Sequence, residues 1–204
     1  MSGKFAILMD GGFVKKKIQQ KSKAFPTITT IDAEIARIKG HAALSSCELL
    51  RIYWYDAVPA SGKLKNPIDG TVIDLAAHPQ FSANMSLHQA LEVHPDFALR
   101  MGDAAVYGWT IGSSAMKALT KAPRAPTAKD LVPDIQQKGV DLRIGLDLAR
   151  LALRALVDSV VVVTGDSDLI PAFKFARREG IRVYLDHMGH GVKRELKVHA
   201  DLIL

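Results

Sequence analysis

The chain has 204 residues, a formal net charge of +6, and 48% hydrophobic residues. That is enough apolar material for one domain with a sizeable core. The single cysteine, Cys47, excludes an internal disulfide, and no run of about 18 apolar residues is present to span a bilayer.

Met1-Ser-Gly-Lys4 leads directly into an apolar run and lacks the shape of a signal peptide. With a lone thiol that suits a reducing compartment, this gives a cytoplasmic expectation and no membrane partner. Phe5 to Asp10 reads as a buried strand, too short for a helix. Gly11 and Gly12 are expected to form a tight turn before a helix that starts near Phe13. Thr30-Ile-Asp-Ala-Glu34 reads as a helix start capped by Asp32 or Thr30, with the helix running to about Leu44. Leu49 to Asp56 is a second strand, and Val58-Pro-Ala-Ser-Gly-Lys63 breaks the chain.

The middle of the chain, about residues 60 to 135, is the least legible and reads as an insertion or elaboration. Ser86 to Arg100 is expected to be helical with an interruption at Pro95. Ala104 to Ile111 reads as a strand weakened by Gly108, and Lys121 to Lys129 as an exposed basic loop. Regularity then returns. Asp141 to Leu156 is expected as a helix, Val160 to Thr164 as a strand, and Leu169 to Glu179 as a helix closed by Gly180. Ile181 to Leu185 is a further strand. Strands alternating with helices predict an α/β fold whose mainly parallel sheet is covered on both faces. Sites in such folds form beyond the carboxyl ends of the strands, where Asp10 and Asp166 fall.

The acids carry the chemistry. Asp10 ends an apolar strand, where it is either a site residue or a turn former before Gly-Gly. Asp166 and Asp168 follow a second strand end, and one of them or Ser167 can cap the next helix. That leaves a carboxylate without a plain role, and two carboxylates two residues apart repel unless a cation lies between them. Asp141 opens its helix as a site residue or as an N-cap. Asp147 shares a stripe with Ile144 and Leu151, so it must face a polar cavity, a basic partner such as Arg150, or a metal site. A group of carboxylates at strand ends is what a hard cation such as Mg²⁺ requires.

Other features are weaker. His187 and His190 lack further His or Cys residues at matching spacing and read as a surface pair. Lys15, in the run Lys15-Lys-Lys17, is a candidate phosphate contact or part of a solvated helix face. Lys193, Arg194 and Lys197 fall on one face of an expected terminal helix, as RNA contacts or as solvated residues.

Asp10-Gly-Gly12, Tyr53-Trp-Tyr-Asp-Ala-Val-Pro59, Lys138-Gly-Val-Asp-Leu142 with Asp147, and Val163-Thr-Gly-Asp-Ser-Asp-Leu-Ile-Pro171 together resemble the NYN domain family. That family belongs to the PIN-like nuclease superfamily. The resemblance covers about residues 4 to 60 and 134 to 186. It implies a single domain over residues 1 to 204 with a three-layer α/β/α sandwich. It also implies an acidic pocket of Asp10, Asp141, Asp147, Asp166 and Asp168 that binds Mg²⁺ or Mn²⁺, with Asp10, Asp166 and Asp168 as ligands. Many members carry Asn soon after the first Asp; here Gly12 and Phe13 follow, as in the bacterial branch. The implied activity is metal-dependent cleavage of single-stranded RNA. The alternative is a non-catalytic RNA- or protein-binding regulator with the same pocket. A homo-oligomer is compatible with either. A haloacid-dehalogenase-like phosphatase is disfavoured, because that chemistry wants an Asp at position 12.

Overall fold

The computed structural model describes residues 3–204; Met1 and Ser2, and the reading made of them, lie outside the described residues. The first run forms β1 (Gly3–Asp10), which passes directly into α1 (Gly11–Ser22). There is no tight turn between them: both glycines are helical, and Asp10 is the N-cap, its Oδ1 accepting the Phe13 N–H at 3.0 Å. The second helix, α2 (Ile28–Lys39), starts earlier than expected. Thr27 is its N-cap, and Thr30 acts from inside the first turn by accepting the Thr27 N–H at 2.9 Å. Then come β2 (Cys47–Ala57), a small hairpin of β3 (Lys63–Lys65) and β4 (Val72–Asp74), and α3 (Pro79–Glu92).

The expected helix to Arg100 stops before residue 97. Asp96 takes a left-handed φ of 66° after Pro95, and the chain turns into β5 (Phe97–Ile111). The elements that follow are α4 (Ser113–Lys121), β6 (Leu131–Lys138), α5 (Val140–Leu153), β7 (Ser159–Val163) and α6 (Ile170–Arg178). The chain ends with β8 (Arg182–Asp186), α7 (Arg194–Val198) and β9 (Leu202–Ile203). β3, β4, α4, β6 and β9 have no counterpart in the sequence reading. β6 contains Pro133, which an edge strand tolerates because one side of its ladder is open.

Seven strands form one sheet in the order β6-β5-β2-β1-β7-β8-β9. All pairings are parallel except β5 with β6. The sequence order jumps at the centre: β1 lies between β2 and β7. The middle of the chain therefore supplies part of the main sheet. The first part of β5 pairs with β2 from Ile52–Phe97 to Ala57–Gly102, and its remainder pairs with β6 across a bulge at Tyr107.

Burial on both faces follows strict alternation. Phe5, Ile7 and Met9 pack with Ile52, Trp54, Val161 and Val163 against α1, α2 and α3. Ala6 and Leu8 pack with Tyr53, Tyr55, Val160 and Val162 against α5 and α6. Helices thus cover both faces, giving the expected three-layer α/β/α arrangement. No helix among the described residues is long and apolar enough to cross a membrane.

α1 lies very close to β2. A Cβ added at Gly11 would stand 2.8 Å from the Trp54 ring and from the Tyr55 carbonyl oxygen. Gly11→Ala should therefore overpack this contact and destabilise the protein by about 1–3 kcal/mol. Denaturant unfolding of the purified variant measures this, with wild-type stability as the contrary outcome.

Candidate functional site

β1 and β7 are parallel neighbours, with Met9 opposite Val163. Their carboxyl ends therefore release Asp10 and the turn Thr164-Gly-Asp166 at the same edge. α5 begins at that edge too, with Gly139 in a left-handed conformation as its N-cap. Asp141 is thus inside the first turn and does not cap the helix. Asp10, Asp141 and Asp166 line one cleft of about 580 Å³, together with Gly12, Lys16, Gln137, His190 and Lys193.

Asp10 has each oxygen engaged. Oδ1 takes the Phe13 N–H, and Oδ2 is 3.4 Å from the Thr164 hydroxyl, a long contact. The same hydroxyl oxygen accepts the Asp166 N–H at 3.1 Å, so Thr164 links the two strand ends. Asp166 then caps the short turn of helix at Ser167–Leu169, its Oδ1 accepting the Asp168 N–H at 2.9 Å. Burial raises the Asp10 carboxyl to about 6, against the pull of the Phe13 hydrogen bond. The charges of Asp141, Asp56 and Asp166 raise it further. Asp141 is also raised, by partial burial and by the charges of Asp166 and Asp168. Asp168 is exposed and does not line the cleft, but its charge reaches Asp141.

Asp147 is not brought into this group. It faces a basic partner, though a different one from Arg150: Arg100 Nε at 2.9 Å, with the Tyr55 hydroxyl donating to the same oxygen at 3.0 Å. Tyr55 points to the α5 side of β2 because it alternates with Trp54 and Asp56, which point the other way. Burial and the Asp147 charge push the Tyr55 hydroxyl far above its ordinary range. Lys15 is also committed elsewhere. Its ammonium is 2.5 Å from Asp56 and 2.6 Å from Asn84 Oδ1, so its expected phosphate contact gives way to an internal ion pair. The exposed lysine of that run at the cleft is Lys16. Lys193 lines the cleft, while Arg194 and Lys197 are exposed on α7 beside it. His190 lines the cleft beside Phe13, with Lys17 Nζ 3.0 Å from its Nδ1.

Asp56 is the residue that sequence reasoning passed over. It stands one residue before the end of β2, much as Asp10 ends β1, and that placement was the available signal. It is completely buried. Lys15 and His88 Nε2 meet its Oδ2, and Gln137 Nε2 donates to its Oδ1 at 2.8 Å. Burial pushes this carboxyl up, but the His88 hydrogen bond and the Lys15 ammonium outweigh it and hold it at about 2. Gln137 has a second consequence. Its Oε1 is 2.9 Å from where a Cβ at Gly12 would stand. The space that a side chain at position 12 would occupy is filled by an amide delivered from β6.

The cleft presents hard carboxylate oxygens, the donors that Mg²⁺ and Mn²⁺ take. No set of three or more His, Cys, Asp or Glu side chains among the described residues converges to hold a bare ion. Dispersed carboxylates around an open cleft instead suit an ion that keeps several waters and touches one or two side chains, as Mg²⁺ does.

The NYN domain family model matches residues 111–202. That stretch holds Asp141, Asp166 and Asp168; Asp10 lies outside it and joins them through the pairing of β1 with β7. A crystal structure of a protein of unknown function, VPA0982 from Vibrio parahaemolyticus, superposes with a TM-score of 0.55 at 16% identity. The match covers 100% of this chain and 92% of that one, and it speaks to the fold alone. No curated protein matches the chain.

Two outcomes follow from the two strand-end acids. Asp56→Ala would leave Lys15 buried without its counter-charge and should cost about 3–5 kcal/mol, readable by urea unfolding. A stability within 1 kcal/mol of wild type, on the order of an ordinary surface change, would contradict that role. Asp10 behaves oppositely. Its folded carboxyl, at about 6, lies above the reference 3.8. As pH rises from about 4 to about 6 the unfolded chain ionises first, so the folded state loses stability over that window. Asp10→Asn keeps the cap and does not titrate. In EDTA it should match wild type near pH 4 and exceed it above pH 6, by at most on the order of 3 kcal/mol. Melts across that range with a constant gap would contradict the assignment.

Proposed function

Because the chain carries an NYN domain over residues 111–202, a family of PIN-like nucleases, we propose that it is a metal-dependent ribonuclease acting on single-stranded RNA in the cytoplasm. The observation that carries this reading is the joint cleft of Asp10, Asp141 and Asp166, with Lys16 and Lys193 on its wall. Asp10 and Asp166 would hold a hydrated Mg²⁺ or Mn²⁺. When bound, the ion supplies charge stabilisation at the phosphoryl oxygen and lowers the pKa of water. The Asp141 carboxylate would accept a proton from the attacking water. Its raised affinity for protons, which comes from burial and from Asp166 and Asp168, supports that role. Asp168 would hold Asp141 in this state through its charge. Lys16 and Lys193 would attract the phosphate, with Arg194 and Lys197 extending the basic track along α7. Gln137, fixed by Asp56, would offer its amide oxygen to the ribose or base.

A second reading has its own support. The basic rim of Lys16, Lys193, Arg194 and Lys197 would also serve a regulator that binds RNA without cutting it.

The two separate in a gel assay with labelled single-stranded RNA. Cleavage is expected with Mg²⁺ or Mn²⁺, and loss with EDTA. Asp10→Asn and Asp166→Asn should each lower the rate by roughly 10²-fold or more, the scale of losing a preorganised charge-stabilising group. RNA binding should persist in both variants. No cleavage by wild type with either ion, alongside intact binding, would favour the regulator. Equal residual cleavage in all three proteins would indicate a contaminant.

A further inference from the structure

α5 is apolar on two sides. Val140, Ile144, Leu148 and Leu151 are buried against the sheet. Leu142, Leu146 and Leu153 are 66%, 61% and 65% exposed. At about 100° per residue these three, with Ala149 between them, form a single stripe on the side of the helix opposite the core. Their spacing of four, three and four residues is that of a coiled-coil seam. Single exposed leucines are ordinary, but three at seam spacing on one helix form a contiguous patch that needs covering.

The flanks of the stripe indicate what covers it. On one side the helix presents Arg143, Arg150 and Arg154. Arg143 donates to the Gly139 carbonyl oxygen at 2.9 Å. Arg150 and Arg154 are exposed and have no ion pair among the described residues. On the other side lies α6, where Gly145 faces Ala172 and the outward residues include Lys174 and Phe175. The apolar seam is thus bordered by positive charge. A second copy of this chain does not suit it. Two α5 helices laid antiparallel along the stripe would bring Arg143 and Arg150 of opposite copies together, and like charges set face to face oppose association.

We propose that the outer face of α5 is a docking site for an amphipathic helix of another protein, one that carries leucine-type residues at seam spacing and acidic residues along its flank. The apolar residues supply the attraction, and the arginines select the partner and its orientation. The stripe begins one residue after Asp141, so a docked helix stands at the rim of the acidic cleft. A partner here is placed to bring substrate to the cleft or to keep it away. The inference rests on the leucine and arginine pattern alone and does not require the cleft to be catalytic.

The test uses two designed helical peptides of about three heptads, identical in their leucine seam, with Glu at the flanking positions in one and Lys in the other. Binding to the full chain is read by fluorescence anisotropy at low salt. The Glu peptide should bind at least about tenfold more tightly than the Lys peptide, the scale of a charge-selected interface. Leu146→Ser with Leu153→Ser should abolish that binding while leaving the circular dichroism spectrum and the melt unchanged, since both positions are exposed. Arg150→Glu with Arg154→Glu should reverse the preference toward the Lys peptide. Failure of both peptides to bind, or equal binding that ignores the flank, overturns the proposal. So does concentration-dependent dimerisation of the free chain that the double serine variant removes, because the occupant would then be a second copy.

Discussion

The structure depends on one buried carboxylate. Asp56 lies near the carboxyl end of β2, between β5 and β1 in the sheet, and has no exposure to solvent. An isolated charge there would be costly, and the fold answers with three elements at once. α1 brings Lys15, α3 brings His88, and β6 brings Gln137. None of these is a neighbour of Asp56 in sequence. The helix that starts from Asp10, the helix from the middle of the chain and the edge strand are therefore fixed relative to one another by a single group. The cleft inherits that rigidity, because α1 and Gln137 both form part of its wall.

The cleft itself obeys a different logic. Asp10 is partly buried but receives no cation. Its neighbours are other acids, and its partners are one amide N–H and a distant hydroxyl. Two acids at adjacent strand ends thus have opposite environments, one neutralised inside the protein and one left in want of positive charge. An unneutralised carboxylate in a cleft is what a cation or a proton-transfer role requires. The basic rim at Lys16 and Lys193 then supplies attraction for an anion without cancelling the acids.

Much of this was legible in the sequence, and the reasons are physical. The apolar runs at Phe5 to Met9 and at Val160 to Val163 can only be strands buried on both faces, so the parallel core and the ends that carry Asp10 and Asp166 could be read directly. The stripe containing Asp147 requires a partner for its carboxylate, and Arg100 supplies one. That partner is placed by the pairing of β5 with β2, which sets Arg100 opposite Tyr55. That pairing was hidden because residues 86 to 100 combine a helical stretch with a strand start, and only Pro95 marks the change. β6 was hidden for another reason: Gln136, Gln137 and Lys138 show no apolar alternation, since neither face of this stretch is buried. Lys15 could not be told from Lys16 or Lys17 by sequence, because which lysine turns inward is decided by Asp56 across the sheet.

The alternation along the strands also sorts the acids. In β1, even-numbered positions face the α5 layer, as Ala6 and Leu8 do; in β2, even-numbered positions face the α1 layer, as Ile52 and Trp54 do. Deleting one residue from the middle of either strand would exchange the faces of every side chain beyond the deletion. In β1 this would turn the terminal carboxylate away from α5 and toward the layer that already holds Lys15. In β2 it would expel the neutralised acid toward α5 and leave the lysine beneath the sheet without its counter-charge. Substitutions at these strand ends change one group at a time, whereas a change of length would interchange structural and reactive charge together. Strand length is therefore held by the need to keep two like acids in unlike surroundings, as well as by packing.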